Sequence, residues 1–262
     1  MIQSLAIVRT GLEGEQTKMD VIANNLANLN TAGFKAIRPV FQDLLYQNAT
    51  QAGGFTSQNT NYPSGLQTGT GANVIATEPI LTQGGLQQTG NALDLAVNGN
   101  GFFQILMPSG TIAYTRDGSF ALNAQGQVVT ANGYQIQPPI TIPPGAQTIT
   151  IGTDGTVSVQ LQGQSTPTQI GLIQLASFIN PAGLQSIGND LAIQTQSSGA
   201  PTPGKGTTNG LGSIEQGYLE SSNVSVVNEM VDMIETERAY ELNTQAAKTV
   251  DNMLGFLNNA SA

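Results

Sequence analysis

Apolar residues open this chain at alternating steps of three and four. Positions 5, 8, 12, 15, 19, 22, 26 and 29 carry Leu5, Val8, Leu12, Glu15, Met19, Ile22, Leu26 and Leu29, and only Glu15 is not apolar. A 3–4 alternation over about four heptads is the seam of a coiled coil, narrower than the stripe of an ordinary surface helix. Ile2, Ile7 and Val21 lie off the seam and form a second strip, which suggests more than one partner helix.

The other end of the chain predicts a second long helix, from about Asn223 to Asn258. Ser221, Ser222, Asn223 and Ser225 offer N-caps. Val227, Met230 and Ile234 form one stripe. After a five-residue step it resumes at Ala239, Leu242, Ala246, Val250, Met253 and Leu257, so the phase breaks near Glu237-Arg238. Neither helix buries its stripe alone, so the two are expected to meet.

Between them the period falls to two. Residues 97–138 are short alternating runs cut by Ser109-Gly110, Asp117-Gly118 and Asn132-Gly133, pairs that read as hairpin turns. The pattern continues through 148–161, with Asp154-Gly155 at the turn, and 169–178 reads as one more strand. Residues 196–210, rich in Gly, Pro, Ser and Thr, read as a loop. Residues 46–71 are nearly uncharged and poor in large apolar side chains, as in a long loop or an extended arm. The expected fold is therefore α+β. Long terminal helices form a coiled-coil stalk (1–32 and 222–262), a connecting segment and arm follow (33–71), and an antiparallel β-domain, sandwich or distorted barrel, is inserted (72–221).

Composition narrows the function classes. Charged residues are 10% of 262, and the net charge is −9. That balance argues against nucleic acid and anionic membranes as partners. The chain has no Cys and no His, which excludes disulfides, thiol catalysis, Cys-based zinc sites and a Ser-His-Asp triad. No run approaches the ~20 apolar residues of a membrane span. The N-terminus lacks the basic start and long apolar run of a cleaved signal, so export, if it occurs, is expected to leave it in place. Asn98-Gly99-Asn100-Gly101 lacks the Lys and the following helix of a phosphate loop and reads as a tight turn. Asp94, Asp117 and Asp154 are imaginable catalytic acids, but the last two precede Gly, where Asp serves the turn. Glu235, Glu237 and Glu241 read as a solvated face or as a contact with a basic patch of another subunit. No cofactor or metal is expected.

One stretch stands apart. "ANNLANLNTAGFK" (23–35) puts Asn24, Asn25, Asn28 and Asn30 at the end of a helix, although Asn competes for backbone hydrogen bonds there. Asn28 and Asn30 are expected to cap freed carbonyls or turn left-handed, and Gly33 to take positive φ. In a homopolymer their amides could also pair between subunits in fixed register.

With "VNGNGFFQI" (97–105), "AYTRDGSF" (113–120) and residues 222–254, this stretch resembles the rod and hook protein family of bacterial flagella, in order and spacing over nearly the whole chain. Asn24, Asn25, Leu26, Asn28, Thr31, Gly33, Phe34 and Lys35 carry the signature. The length and the stretch at 46–66 favour a member from the distal part of the rod over the longer hook proteins, with the proximal rod proteins as runner-up. The resemblance implies a structural polymer and no enzyme. Its subunits are exported by the flagellar type III apparatus, and they stack helically into a hollow shaft in the periplasm. The terminal helices line the inner tube and the β-domain faces outward. The implied neighbours are further copies, the proximal rod proteins, the hook protein and the peptidoglycan-ring and outer-membrane-ring proteins. A reading of a different class, a secreted β-rich adhesin with a helical stalk, accounts for the β middle but not for the N-terminal seam. A hydrolase would require converging carboxylates.

Overall fold

A computed structural model describes residues 2–53, 55–57, 60–61, 63–164 and 166–260, with side chains except at 2, 55–57, 60–61 and 257–260. The fold is α+β, with a helix at each end and strands between. The chain divides into two compact units: Met1–Ala27, Ile37–Pro79 and Ser225–Ala262 form one, Asn28–Ala36 and Ile80–Val224 the other.

The first unit contains both helices, α1 (Ile2–Ala27) and α2 (Val226–Ala260), packed against each other. Helix α1 stops at Ala27, so Leu29 lies in the following turn and does not extend the helical seam. The segment between is a long hairpin. Strand β1 (Ile37–Asp43) pairs antiparallel with β6 (Ala72–Pro79), β2 (Tyr46–Thr50) with β5 (Leu66–Gly69), and β3 (Phe55–Ser57) with β4 (Thr60–Asn61). The three ladders nest, one inside the next. The arm is therefore a paired ribbon and not a loop. Its strands Tyr46–Thr50 and Leu66–Gly69 have no buried face, so the alternation that betrays a strand is missing there, and backbone pairing carries the structure. Leu45, Tyr46 and Leu66 along it are exposed.

The ribbon's base is fastened to α1. Gly71 has φ +121°, and a Cβ there would lie 2.1 Å from Thr10 Oγ1. One at Gly14 would lie 3.1 Å from the Phe41 ring. Steps of three, four and seven put Ile7 and Val21 on the Thr10–Gly14 side of α1, and both are half-buried. Ile7 and Val21 thus face a strand pair of their own chain, where a second helix had been expected; the side chain of Ile2 lies outside the described residues.

The second unit is all β apart from a 3₁₀ turn at Pro181–Gly183. Its largest sheet has nine strands, with Phe102–Leu106 near the middle, flanked by Ile112–Thr115, Gln135–Ile136 and Leu175–Ser177. A three-stranded antiparallel sheet is formed by Ala146–Ile151, Thr156–Leu161 and Thr168–Leu172. One core cluster includes Leu95, Phe103, Ile105, Ile136, Leu175 and Ile214, each at most 1% exposed. Phe103 meets Phe120 edge-on, ring centroids 5.2 Å apart.

Three of the four expected turns close hairpins, with Gly110, Gly133 and Gly155 at φ +82°, +83° and +90°. Asp117-Gly118 does not. It joins two strands that do not pair with each other, Ile112–Thr115 and Phe120–Leu122, on a path where a Cβ at Gly118 would lie 1.6 Å from the Leu95 carbonyl oxygen. Glycine serves close backbone approach here, which local sequence cannot distinguish from a turn. Likewise 169–178 is not one strand. It leaves the three-stranded sheet at Leu172 and enters the nine-stranded one at Leu175, with Ile173 buried between. The loop 196–210 contains the short strand Thr202–Gly204.

Candidate functional site

The helical unit offers the first candidate surface. On α1, Val8, Leu12, Glu15, Met19 and Leu26 are half-buried, Ile22 is 4% exposed and Leu5 39%. On α2 the residues turned inward are Glu229, Met233, Thr236, Asn243, Ala247, Val250 and Leu254. With the half-buried Ala239 and Thr244 they occupy one side of the helix at steps of three and four, although Tyr240, the heptad position between Thr236 and Asn243, is 40% exposed. Asn243 lies against Gly11 of α1, its amide nitrogen 3.4 Å from where a Cβ would stand. This stripe is largely polar or small, so hydrophobicity does not reveal it.

Of the α2 stripe read from sequence, Val250 is buried and Ala239 half-buried. Val227, Met230, Ile234, Leu242 and Met253 are 72, 52, 54, 67 and 47% exposed, and Ala246 is exposed as well. The side chain of Leu257 lies outside the described residues. Val231 and Phe256, not singled out from sequence, extend this outward apolar face at 50 and 76%. At 100° per residue, Val227, Val231, Ile234, Leu242 and Phe256 lie opposite the inward stripe. Helix α2 is therefore two-sided, and the apparent phase break arose from joining residues of different faces. Among the described residues, no helix is long and apolar enough to cross a membrane.

The signature residues divide between the two units. Asn25 belongs to the helical unit and is 3% exposed. Its Oδ1 accepts from the Ile37 N–H at 2.9 Å, and its Nδ2 donates to the Ile37 carbonyl at 2.9 Å and to Glu229 Oε1 at 3.2 Å. One amide thus completes the hydrogen bonds at the start of β1 as a neighbouring strand would, and reaches the first turn of α2. Burial chiefly raises the Glu229 carboxyl above its ordinary value; the Asn25 hydrogen bond opposes this and Asp232 adds to it. The expected left-handed Asn residues are absent, since neither Asn28 nor Asn30 has positive φ. Instead Asn28 closes a turn, accepting from the Thr31 N–H at its carbonyl and from Thr31 Oγ1 at its side chain, 3.2 Å each. Gly33 does take φ +71°.

The second candidate site lies in the β unit and gathers around Glu220, whose side chain is 0% exposed. Lys35 Nζ is 2.5 Å from its Oε1 and Arg116 Nη1 is 3.4 Å from its Oε2. The Gly84 N–H donates to Oε1 at 2.9 Å, and the Gly33 N–H to the Glu220 backbone carbonyl at 2.7 Å. Arg116 also donates to the Val97 and Gly99 carbonyls and lies 5.2 Å from the centroid of the Phe102 ring. Burial lowers the Lys35 and Arg116 pKa values, and Glu220 opposes the shift in both. Three residues on, Asn223 does not cap α2. Its Oδ1 accepts from the Ala36 N–H at 2.7 Å, and its Nδ2 donates to the Ile80 and Thr82 carbonyls at 2.8 and 3.0 Å. Sequence reasoning quoted Lys35, Gly33 and Arg116 but not Glu220. The available signal was one acid ending the apolar-flanked strand Tyr218–Glu220.

The remaining polar candidates serve the backbone. Asp117 accepts from the Ser119 N–H and hydroxyl, and Asp94 from Asn91. Asp154 accepts from the Thr156 N–H and hydroxyl, which hold its pKa below the ordinary value. Asn98–Gly101 is a turn, its Gly99 N–H donating to Gln83 and its Gly99 carbonyl accepting from Arg116.

Comparison with known proteins agrees along the chain. Residues 5–35 match the model of the flagella basal body rod protein family, residues 96–159 that of the flagellar hook protein FlgE/F/G D1 domain, and residues 215–260 that of the flagellar basal body rod FlgEFG protein C-terminal region. The flagellar basal-body rod protein FlgG of Buchnera aphidicola subsp. Schizaphis graminum is 52% identical, with 97% of this chain and 98% of that protein aligned. That of Borreliella burgdorferi is 45% identical (99% and 98%), and that of Bacillus subtilis 38% (97% and 97%). The signature segment, the β-domain blocks and the C-terminal helix thus lead to one conclusion: the chain belongs to the FlgG family of flagellar basal-body rod proteins, structural proteins and not enzymes.

Proposed function

We propose that this protein is a structural subunit of the distal flagellar rod, self-assembling helically into the hollow drive shaft that transmits torque through the periplasm to the hook. The observation that carries the reading is the outward face of α2. Val227, Val231, Ile234, Leu242 and Phe256, all at least half exposed, run along one side of a helix whose other side is already packed. A lone subunit gains nothing from such a face, whereas a neighbouring helix in a polymer removes it from water. In this reading the α1 seam and the outward α2 stripe form coiled-coil contacts between copies. Further partners are the proximal rod proteins at one end, the hook protein at the other, and the peptidoglycan-ring and outer-membrane-ring proteins around the shaft. Export is through the flagellar type III apparatus with the N-terminus retained.

The test is complementation. Cells lacking the gene should make basal bodies that stop short of the distal rod in electron micrographs, and the restored gene should return the straight shaft and motility. Complete rods in its absence would refute the assignment.

A further inference from the structure

We infer that the end of the signature, residues 33–35, together with the adjoining Ala36, works inside its own chain. Glu220 and Asn223 clasp it to the β unit, so it becomes ordered when that unit folds and not when subunits assemble. Glu220 receives two buried cations from sites 185 and 104 residues away in sequence, together with the Gly84 N–H. Asn223 holds Ala36, Ile80 and Thr82 with a single amide. The backbones around Glu220 and Asn223 are packed too closely for side chains. A Cβ on Gly33 would lie 2.6 Å from the Arg116 carbonyl carbon, and one on Gly84 would lie 1.9 Å from the Ser221 carbonyl oxygen. Every partner named here belongs to the β unit. The segment therefore finds its hydrogen bonds, its counter-charge and its glycine contacts without another copy, and this inference does not depend on the chain being a rod subunit.

The charge arithmetic makes the clasp testable. One buried carboxylate faces two buried cations. Lys35→Met leaves the Arg116–Glu220 pair intact, whereas Glu220→Gln leaves two cations without a counter-charge. Removing one partner of a buried pair is strongly destabilising because the other charge stays buried. In the full-length subunit kept monomeric at low concentration, Glu220→Gln should lower the folding equilibrium constant of the β unit roughly a hundred- to a thousandfold. Lys35→Met should lower it by about tenfold or less. Adding Lys35→Met to Glu220→Gln should recover part of the loss, because one stranded cation goes with it. Purely additive losses would overturn the clasp.

Amide hydrogen exchange on the same monomer supplies the independent readout. The Gly33 and Ala36 N–H groups should be protected together with the β unit in the wild-type chain. Asn223→Ala should free Ala36 while leaving strand Phe102–Leu106 protected. Unprotected Gly33 and Ala36 in the wild-type monomer would mean that assembly orders the segment, and the inference would fail.

Discussion

Replacing Ile234 by Asp separates folding from assembly, because Ile234 is 54% exposed and lies on the outward face of α2. Val227, Met230, Val231, Ile234, Leu242, Met253 and Phe256 are between 47 and 76% exposed. Full burial of such a side chain is worth about 1.5–3 kcal/mol, so about 1 kcal/mol each is left to gain and about 7 kcal/mol over the face. Ile234→Asp forfeits about 1 kcal/mol of this. It also puts an unpaired carboxylate into the covered interface, at a cost of roughly 3 kcal/mol. The sum, about 4 kcal/mol, corresponds to a rise of roughly a thousandfold in the subunit concentration needed to polymerise, at tenfold per 1.4 kcal/mol. Within the single chain the site is half in water, so folding should change by no more than about 0.5–1 kcal/mol. The assay pairs urea denaturation of the monomer with sedimentation of subunits across a concentration series. Motility of cells exporting the variant to normal levels checks the result in place. An unchanged polymerisation threshold would refute the argument that neighbouring copies cover this face.

Asn25→Asp should weaken the assembled shaft by about 2–4 kcal/mol per subunit, because it loses the donor to the Ile37 carbonyl and sets a carboxylate against that oxygen and Glu229; unchanged heat resistance of purified rods would contradict this. Gly33→Ala forces a side chain to φ +71° against the Arg116 and Asp117 backbone and should cost the β unit at least ~1–3 kcal/mol. That is a fall of about 2–4 °C in melting temperature per kcal/mol, and an undiminished melting temperature would refute it. Deleting the ribbon 46–66 should leave subunits that still polymerise but give a curved, more flexible shaft, because a paired arm reaching a neighbour resists the sliding that bending requires; straight shafts in electron micrographs would rule out that role.

Much of this protein is fixed by short-range sequence. A 3–4 apolar alternation over the first turns cannot be satisfied by a strand, so α1 exists wherever its partners are. The pairs at 109–110, 132–133 and 154–155 make turns because each glycine supplies the positive φ its own turn requires. Tertiary structure alone decided which side of α2 faces inward. In a polymer subunit the hydrophobic pattern reports every partner at once. The side facing α1 mixes Glu229, Thr236, Asn243 and Ala247 with Met233, Val250 and Leu254, and most of the apolar stripe that sequence makes conspicuous, Val250 and Ala239 apart, is turned away from the chain. Tertiary structure also turned the polar stretch from residue 46 into a hairpin, since backbone pairing across nested ladders needs no side-chain pattern to hold it. It alone brought Glu220 to Lys35 and Arg116, because a buried carboxylate is stable only where the fold assembles its counter-charges, and nothing local in the sequence records which distant cations those are.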